Sequence, residues 1–144
     1  MMLRQFKQFV NENGLFGRGE RLLAAVSGGA DSVVMLHLLA QCRLKVAVAH
    51  CNFHLRGADA DGDEEFVRQL AVKYEMPFFS IRFNTLAYAD EHRLSVEMAA
   101  RELRYNWFAQ LAAEHHFHRI LTAHHLNDNI ETMLLNLTRA QPIK

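Results

Sequence analysis

The sequence predicts a doubly wound α/β domain, with a parallel sheet and helices on both of its faces. Short, nearly continuous apolar runs alternate along the chain with longer amphipathic runs. This is the pattern of strands buried on both faces and of the helices that cover them. The chain has 144 residues, about the size of one domain. Its seven Gly and two Pro are few for a turn-rich β-sandwich, so long helices with short strands between them are favoured.

Each strand and helix follows from its own run of residues. Apolar side chains that recur every three or four positions, as in Phe66, Leu70 and Tyr74, predict helices at residues 31–41, 61–75 and 95–116. The nearly continuous apolar runs predict strands at residues 22–26, 44–49, 78–83 and 119–123.

Two further helices are predicted at the ends of the chain. Leu3, Phe6 and Val10 indicate an N-terminal helix that stops at Gly14, and residues 127–138 indicate a final helix. The order αβαβαβαβα predicts right-handed crossovers between parallel strands. No closing strand is predicted after the final helix, so the chain is expected to be part of a longer protein.

Charge and composition exclude several classes of protein. Sixteen Lys and Arg balance sixteen Asp and Glu, which argues only weakly against nucleic acid because a local basic patch can bind it. The most apolar stretch, residues 22–40, is interrupted by polar side chains, so no membrane span is predicted and a cytoplasmic protein is expected. Cys42 and Cys51 are too few for a disulfide framework and form no Cys-x-x-Cys motif.

A glycine-containing loop follows the first predicted strand. Residues 27–32 read Ser-Gly-Gly-Ala-Asp-Ser and match neither a P-loop with its lysine nor a dinucleotide fingerprint. The two glycines and the N-terminus of the following helix predict a phosphate cradle. Asp31 would repel a polyphosphate unless a cation lay between them, so Mg²⁺ is expected. The alternative is a tight turn in which Asp31 or Ser32 only caps the helix.

A second polar cluster follows the fourth predicted strand, at the same edge of the sheet. Asp128 and Glu131 are three residues apart at the start of the final helix and could hold a metal with Asp31. His124 or His125 could donate to developing negative charge. Helix capping by Asp128 is one alternative. A zinc site is another, but it usually needs two histidines four residues apart.

Two arginines in the long helix form a third motif. Arg101 and Arg104 are three residues apart and could clamp phosphates or an adenylate. The alternative is an ordinary surface ion pair between Glu97 and Arg101. A fourth motif, residues 50–57, is expected in the loop after the second strand and fits no metal template. Its Cys51 is expected to be a partly buried residue and not a nucleophile, because no neighbour clearly lowers its pKa.

The four motifs together resemble the PP-loop, or N-type ATP pyrophosphatase, superfamily, and more narrowly its tRNA(Ile)-lysidine synthetase family. The glycine loop is shared across the superfamily. The narrower resemblance depends on His-x-Asn-x-x-Leu-Arg-Gly at residues 50–57, the acidic run at 61–65, Ala-Ala-Arg-Glu-x-Arg-Tyr at 99–105, and His-His-x-x-Asp-x-x-Glu-Thr at 124–132. It spans roughly residues 21–139, and four motifs in order are far more specific than any one of them.

The resemblance implies an α/β PP-loop fold and a ligase that uses ATP and Mg²⁺. It adenylates C2 of the wobble cytidine of tRNA(Ile) with a CAU anticodon and releases pyrophosphate. The amine of L-lysine then displaces AMP and gives lysidine. Carried over residue by residue, the resemblance implies that Asp31 and Asp128 hold the metal. It places Arg101, Arg104, His124 and Glu131 near the α-phosphate or the incoming lysine. The implied ATP-binding residues are Ser27, Gly28, Gly29, Ala30, Asp31 and Ser32.

The resemblance also shapes the expected domain organisation and partners. Residues 1–144 are expected to form a single catalytic domain, truncated where the family continues with a Gly-Thr-Gly stretch and C-terminal tRNA-binding domains. The expected partners are tRNA(Ile), L-lysine and ATP, with no membrane and with a homodimer left open. Two alternatives keep the fold: a tRNA thiolation enzyme, which generally needs paired cysteines, and an adenine-nucleotide-binding module without catalysis.

Overall fold

The computed structural model describes residues 4, 6–8, 11, 19–55, 58–123 and 138–139. These residues form an alternation of strands and helices, as the sequence predicts. In chain order the elements are β1 (Arg21–Ala25), α1 (Ala30–Gln41), β2 (Lys45–Asn52), α2 (Ala58–Lys73), β3 (Phe78–Arg82), α3 (Thr85–Glu91), α4 (Val96–His115), β4 (Arg119–Thr122) and β5 (Thr138–Arg139).

The sheet has the order β3-β2-β1-β4-β5. The first four strands are parallel, and β5 runs antiparallel to β4 at one edge. The central strand is β1, in which Leu23 pairs with Ala47 on one side and with Ile120 on the other. Leu22, Leu23 and Ala24 are fully buried, as expected for a strand that is covered on both faces.

Helices cover both faces of this sheet. On one face, Met35, Leu36 and Leu39 of α1 and Val67 and Ala71 of α2 pack against the sheet. On the other face, the packing side chains come from α4. They are Trp107, Phe108, Leu111 and Ala112. The side chains of β1 alternate between these two cores because successive residues of a strand point to opposite faces. The doubly wound α/β prediction is confirmed.

The structure differs from the prediction in one helix and in the end of one strand, neither of which apolar periodicity defined. Helix α3 was not predicted, although Asn84 caps it by accepting a hydrogen bond from the Ala87 amide at 3.2 Å. Strand β2 continues to Asn52, three residues beyond its predicted end. Cys51 therefore lies in a strand and not in the loop where the sequence placed it. The polar residues His50 and Asn52 made this part of the strand look like a loop.

The two ends of the chain are described only in part. Residues 4, 6–8 and 11 are helical, and Phe6 is fully buried in the core beneath α1 and α2. The predicted stop at Gly14 lies outside the described residues. Thr138 was predicted to end a helix, but it lies in β5 and pairs with Ile120. The expectation of no closing strand is therefore wrong, while residues 127–137 of the predicted helix lie outside the described ranges.

Parallel strands bring all of their carboxyl ends to one edge of the sheet. The chain leaves β1 for α1 and β2 on one side, whereas β4 lies on the other side of β1. This change of direction makes the carboxyl end of β1 a topological switch point, the usual ligand site of such sheets. Within the described ranges, no helix combines the length and apolar character that a membrane crossing requires.

Candidate functional site

The loop at the switch point joins β1 to α1 and consists of Ser27, Gly28 and Gly29. Gly28 has φ of +100°, a conformation that side-chain-bearing residues rarely adopt. A Cβ atom at Gly28 would lie 3.4 Å from the Cβ of Asp63 on α2. The loop thus needs glycine for its backbone conformation, whereas an added Cβ would only make ordinary van der Waals contact with α2. We call residues 27–32 the phosphate loop.

Ser32 holds this loop together from the first turn of α1. Its buried hydroxyl donates to the Gly29 carbonyl at 3.0 Å. It also accepts from the amides of Ser27 and Gly28, at 3.2 and 3.3 Å. The Gly29 amide donates to the Ser27 hydroxyl at 3.2 Å. The two serine hydroxyls therefore satisfy the amides of Ser27, Gly28 and Gly29, including those of the two glycines that were predicted to cradle a phosphate.

The N-terminus of α1 supplies the remaining donors. Gly29 is the N-cap residue, and no side chain caps the helix. The capping role predicted in the alternative for Asp31 or Ser32 is wrong, because the Ser32 hydroxyl bonds to the loop and to the Gly29 carbonyl, but these bonds do hold the loop as a tight turn. The first amides of a helix lack intrahelical acceptors, and the helix dipole places positive charge there. This end of α1 is suited to an anion.

The Asp31 carboxylate lies in that same first turn. It is partly buried, and within the described part of the chain it has neither an ion-pair nor a hydrogen-bond partner. An oxygen ligand beside an anion site fits a hard divalent cation such as Mg²⁺. No cluster of three potential metal ligands is found among the described residues. The second predicted ligand, Asp128, lies outside them, as do His124 and Glu131.

The structure separates the two predicted arginines. Arg104 is partly buried and lines a cavity of about 100 Å³ together with Ser27 and Ser32. Its Nε atom is buried without a hydrogen-bond partner among the described residues, and such a donor costs free energy unless a ligand satisfies it. Arg101 is exposed and lies over the Tyr105 ring, 5.6 Å from its centroid. It does not pair with Glu97, so that alternative is wrong.

A second cavity, of about 360 Å³, adjoins the first. Ser27, Cys51 and Phe53 line both cavities, and His50, Asn52 and Asp63 line the second one only. The carboxyl ends of β1 and β2 therefore form one continuous wall along the phosphate loop. A further cavity, of about 480 Å³, is lined by Arg21, Arg43 and Lys45 at the opposite edge of the sheet. None of the predicted site residues that the structure describes lines it.

Two polar residues of β2, His50 and Asn52, had no predicted role of their own. His50 and Asn52 are 3% and 1% exposed, and they share one face of the strand. The Asn52 amide donates to Asp61 at 2.9 Å and to the buried Glu64 at 3.1 Å. Glu64 also accepts from Arg82 at 3.2 Å. This network attaches the start of α2 to the sheet. The sequence signal for it is the spacing of His50 and Asn52, which puts two polar side chains on the same face of a strand.

Substitution of Gly28 tests the phosphate loop directly. Gly28→Ala is expected to lower the free energy of unfolding by about 1–3 kcal/mol, because the positive φ of Gly28 is strained for alanine. Gly29→Ala is the matched control. Gly29 has φ of −74°, and its nearest neighbour would be the Ser27 hydroxyl at 3.5 Å, so about 1 kcal/mol or less is expected. Urea unfolding measures both, and equal losses would contradict the assigned loop conformation.

Known proteins that are similar in sequence identify the family of this chain. A family model described as a PP-loop domain matches residues 1–144. The tRNA(Ile)-lysidine synthase of Bacteroides thetaiotaomicron is 48% identical over 99% of this chain and 34% of its own length. That of Porphyromonas gingivalis strain W83 is 49% identical over 93% of this chain and 30% of its own length. The chain spans about a third of the length of these curated relatives.

Solved structures are similar in fold. The NH3-dependent NAD synthetase of Campylobacter jejuni has a TM-score of 0.64 at 12% identity, over 83% of this chain and 54% of its own. The U34-tRNA thiolase NcsA of Methanococcus maripaludis has the same TM-score at 16% identity, over 83% of this chain and 43% of its own. The family model covers the whole chain, including the loop at the switch point. The chain belongs to the PP-loop domain family.

Proposed function

We propose that this chain is the ATP-binding catalytic part of a ligase that attaches L-lysine to C2 of the wobble cytidine of a CAU-anticodon tRNA(Ile). The observation that carries the proposal is Arg104, which lines one cavity with Ser27 and Ser32 and whose Nε is buried without a hydrogen-bond partner among the described residues. A guanidinium donor without a partner in the described structure, near the N-terminus of α1, is suited to a phosphate. The names of the relatives supply the tRNA and the product.

The proposed reaction has two steps. The C2 oxygen of cytidine attacks the α-phosphorus of ATP, a C2–O–P linkage forms, and pyrophosphate leaves. The lysine amine then attacks C2, a C–N bond forms, and AMP leaves with the former C2 oxygen. Arg104 would stabilise negative charge that develops on the α-phosphate, and the N-terminus of α1 would hold the departing pyrophosphate.

The remaining roles are proposals for named residues. Asp31, together with Asp128, would hold Mg²⁺, which neutralises charge on the β- and γ-phosphates. The proposed ATP-binding residues are Ser27, Gly28, Gly29, Ala30 and Ser32. Arg101, His124 and Glu131 are proposed to lie near the α-phosphate or the lysine. These substrates place the proposed enzyme in the cytoplasm, and a homodimer stays a prediction.

Exchange of labelled pyrophosphate into ATP tests the proposal. The protein is assayed with Mg²⁺ and tRNA(Ile), with and without L-lysine, and the tRNA is analysed for lysidine. Exchange that requires tRNA, and lysidine that requires L-lysine, would support the two steps. Exchange that requires only lysine would show an amino-acid adenylating enzyme instead. ATP binding without exchange or product would leave a nucleotide-binding module.

The cysteines of this chain argue against the thiolation alternative. Cys42 caps the C-terminal end of α1, and Cys51 lies near the far end of β2. A strand rises about 3.3 Å per residue, so roughly 20 Å of β2 separates them. Both thiols are free, and burial raises the pKa of each, with that of Cys51 reaching about 12. Such a pair is not suited to a shared sulfur-transfer step or cluster.

Alkylation measures this thiol chemistry. At pH 8 the thiolate fraction of Cys51 is expected to be about 10³-fold below that of a thiol with the ordinary value of 9.0, since each pKa unit is a factor of ten. Iodoacetamide should therefore modify Cys51 at least about 10²-fold more slowly than free cysteine, as measured by mass spectrometry of the folded protein. The urea-unfolded chain is the control, and it should react at the ordinary rate. Rapid modification of folded Cys51 would reopen the thiolation alternative.

A further inference from the structure

The peptide group that joins Val26 to Ser27 is held at both of its polar ends. Its N–H, from Ser27, donates to the Ser32 hydroxyl at 3.2 Å. Its carbonyl, from Val26, lies 2.8 Å from Nδ1 of His50. A peptide group is planar, so two partners on opposite sides define its orientation. This group is the last one before the two glycines of the phosphate loop.

His50 is placed for this contact by the strand that bears it. Ladder pairing between β1 and β2 extends to Val26, whose amide donates to the Ala49 carbonyl at 2.9 Å. The carbonyl of the same residue bonds instead to the next side chain along β2. His50 and Val26 are both almost fully buried, and a buried carbonyl requires a donor. His50 is thus positioned by the sheet itself and not by a loop.

We propose that His50 is a positioning residue for nucleotide binding, because its Nδ1–H holds the Val26 carbonyl and thereby sets the orientation in which the phosphate loop leaves β1. The inference depends on the proposed binding of ATP at this loop. A carbonyl only accepts hydrogen bonds, so Nδ1 carries the proton and, in the neutral ring, Nε2 is the acceptor. His50 also lines the 360 Å³ cavity beside Ser27, so the same ring forms part of the wall of the site.

Two substitutions separate the two ring nitrogens. His50→Asn keeps a nitrogen donor at the same number of bonds from Cβ as Nδ1. His50→Gln places its nitrogen where Nε2 lies and removes the donor at the Nδ1 position. The affinity for ATP with Mg²⁺ is measured by titration calorimetry, and the free energy of unfolding by urea. His50→Gln is expected to weaken ATP binding about tenfold, the loss of one hydrogen bond. His50→Asn is expected to stay within about threefold of wild type.

The outcomes distinguish positioning from packing. Equal ATP affinity in both variants, whether retained or lost, would overturn the proposal and leave His50 as a packing residue. Nitrogen-15 NMR of wild-type protein labelled at histidine gives a second test that needs no variant to fold. A protonated Nδ1 on His50 is expected, and a bare Nδ1 with a protonated Nε2 would overturn the proposal.

Failure of the proposed function is read separately. If wild-type protein does not bind ATP, the proposed function fails. The role of His50 is then judged from the amide resonances of Ser27, Gly28 and Gly29 without nucleotide. If the hydrogen bond from His50 to the Val26 carbonyl sets the orientation of the loop, these resonances should shift more in His50→Gln than in His50→Asn. Equal shifts would overturn the proposed role of His50.

Discussion

Asp31→Ala is expected to abolish the thermal stabilisation that ATP with Mg²⁺ gives to this chain. In the wild type, ATP at about a hundredfold excess over its Kd should stabilise the fold by about 2.7 kcal/mol, which is roughly 5–10 °C in Tm for a chain of this size. The carboxylate lies in the uncapped first turn of α1 without a partner among the described residues. We propose that this carboxylate binds Mg²⁺, which offsets the repulsion between Asp31 and the phosphates of ATP.

A second substitution, Asp31→Asn, is expected to have the opposite effect on ATP affinity when Mg²⁺ is omitted. Without the cation, Asp31 repels the nucleotide, so ATP alone should bind Asp31→Asn at least as tightly as it binds wild type. Asp90→Asn, an exposed carboxylate on α3, is the matched control and should leave every shift unchanged. Differential scanning fluorimetry with and without EDTA measures the ATP-induced shift in wild type and in each of the three variants. An undiminished Mg²⁺-dependent shift in Asp31→Ala would contradict the metal role.

Arg104→Ala is expected to lower kcat/KM for pyrophosphate exchange by about 10²-fold or more, the usual cost of removing a donor from developing charge. Arg104→Lys should recover only part of the loss, because an ammonium group lacks the fork of the guanidinium. Arg101→Ala provides the comparison on the same helix. Arg101 is exposed and does not line the cavity of Arg104, so a clearly smaller loss is expected.

Stability measurements separate this role of Arg104 from a structural one. Removing a buried donor that has no partner among the described residues relieves a desolvation cost. Loss of the contact between the guanidinium carbon and the Tyr105 ring, whose centroid lies 5.2 Å away, offsets part of that gain. Without nucleotide, the unfolding free energy of Arg104→Ala should therefore stay within about 1 kcal/mol of wild type. A large loss of stability, or equal losses of activity in the two alanine variants, would contradict the assignment.

Apolar periodicity determined most of the fold because the sheet is buried on both faces. Strands such as β1 then appear as continuous apolar runs, and α4 as a long amphipathic one. Periodicity does not predict the segments in which buried residues are polar or in which pairing is distant in sequence. The last residues of β2 are polar although they are buried, because His50 and Asn52 bond to neighbouring elements. Thr138 was predicted in a helix because local periodicity does not register pairing with a strand 18 residues earlier.

For the site, the sequence by itself determined which residue types gather at the carboxyl edge, since strand order brings the glycine loop and the end of β2 together. Only the tertiary structure decided which side chains face the cavity. One turn of α4 separates Arg101 from Arg104, yet the first is exposed and the second has a buried donor. The reason is that hydrogen-bond satisfaction and burial depend on partners distant in the chain, and no local pattern of residues records them.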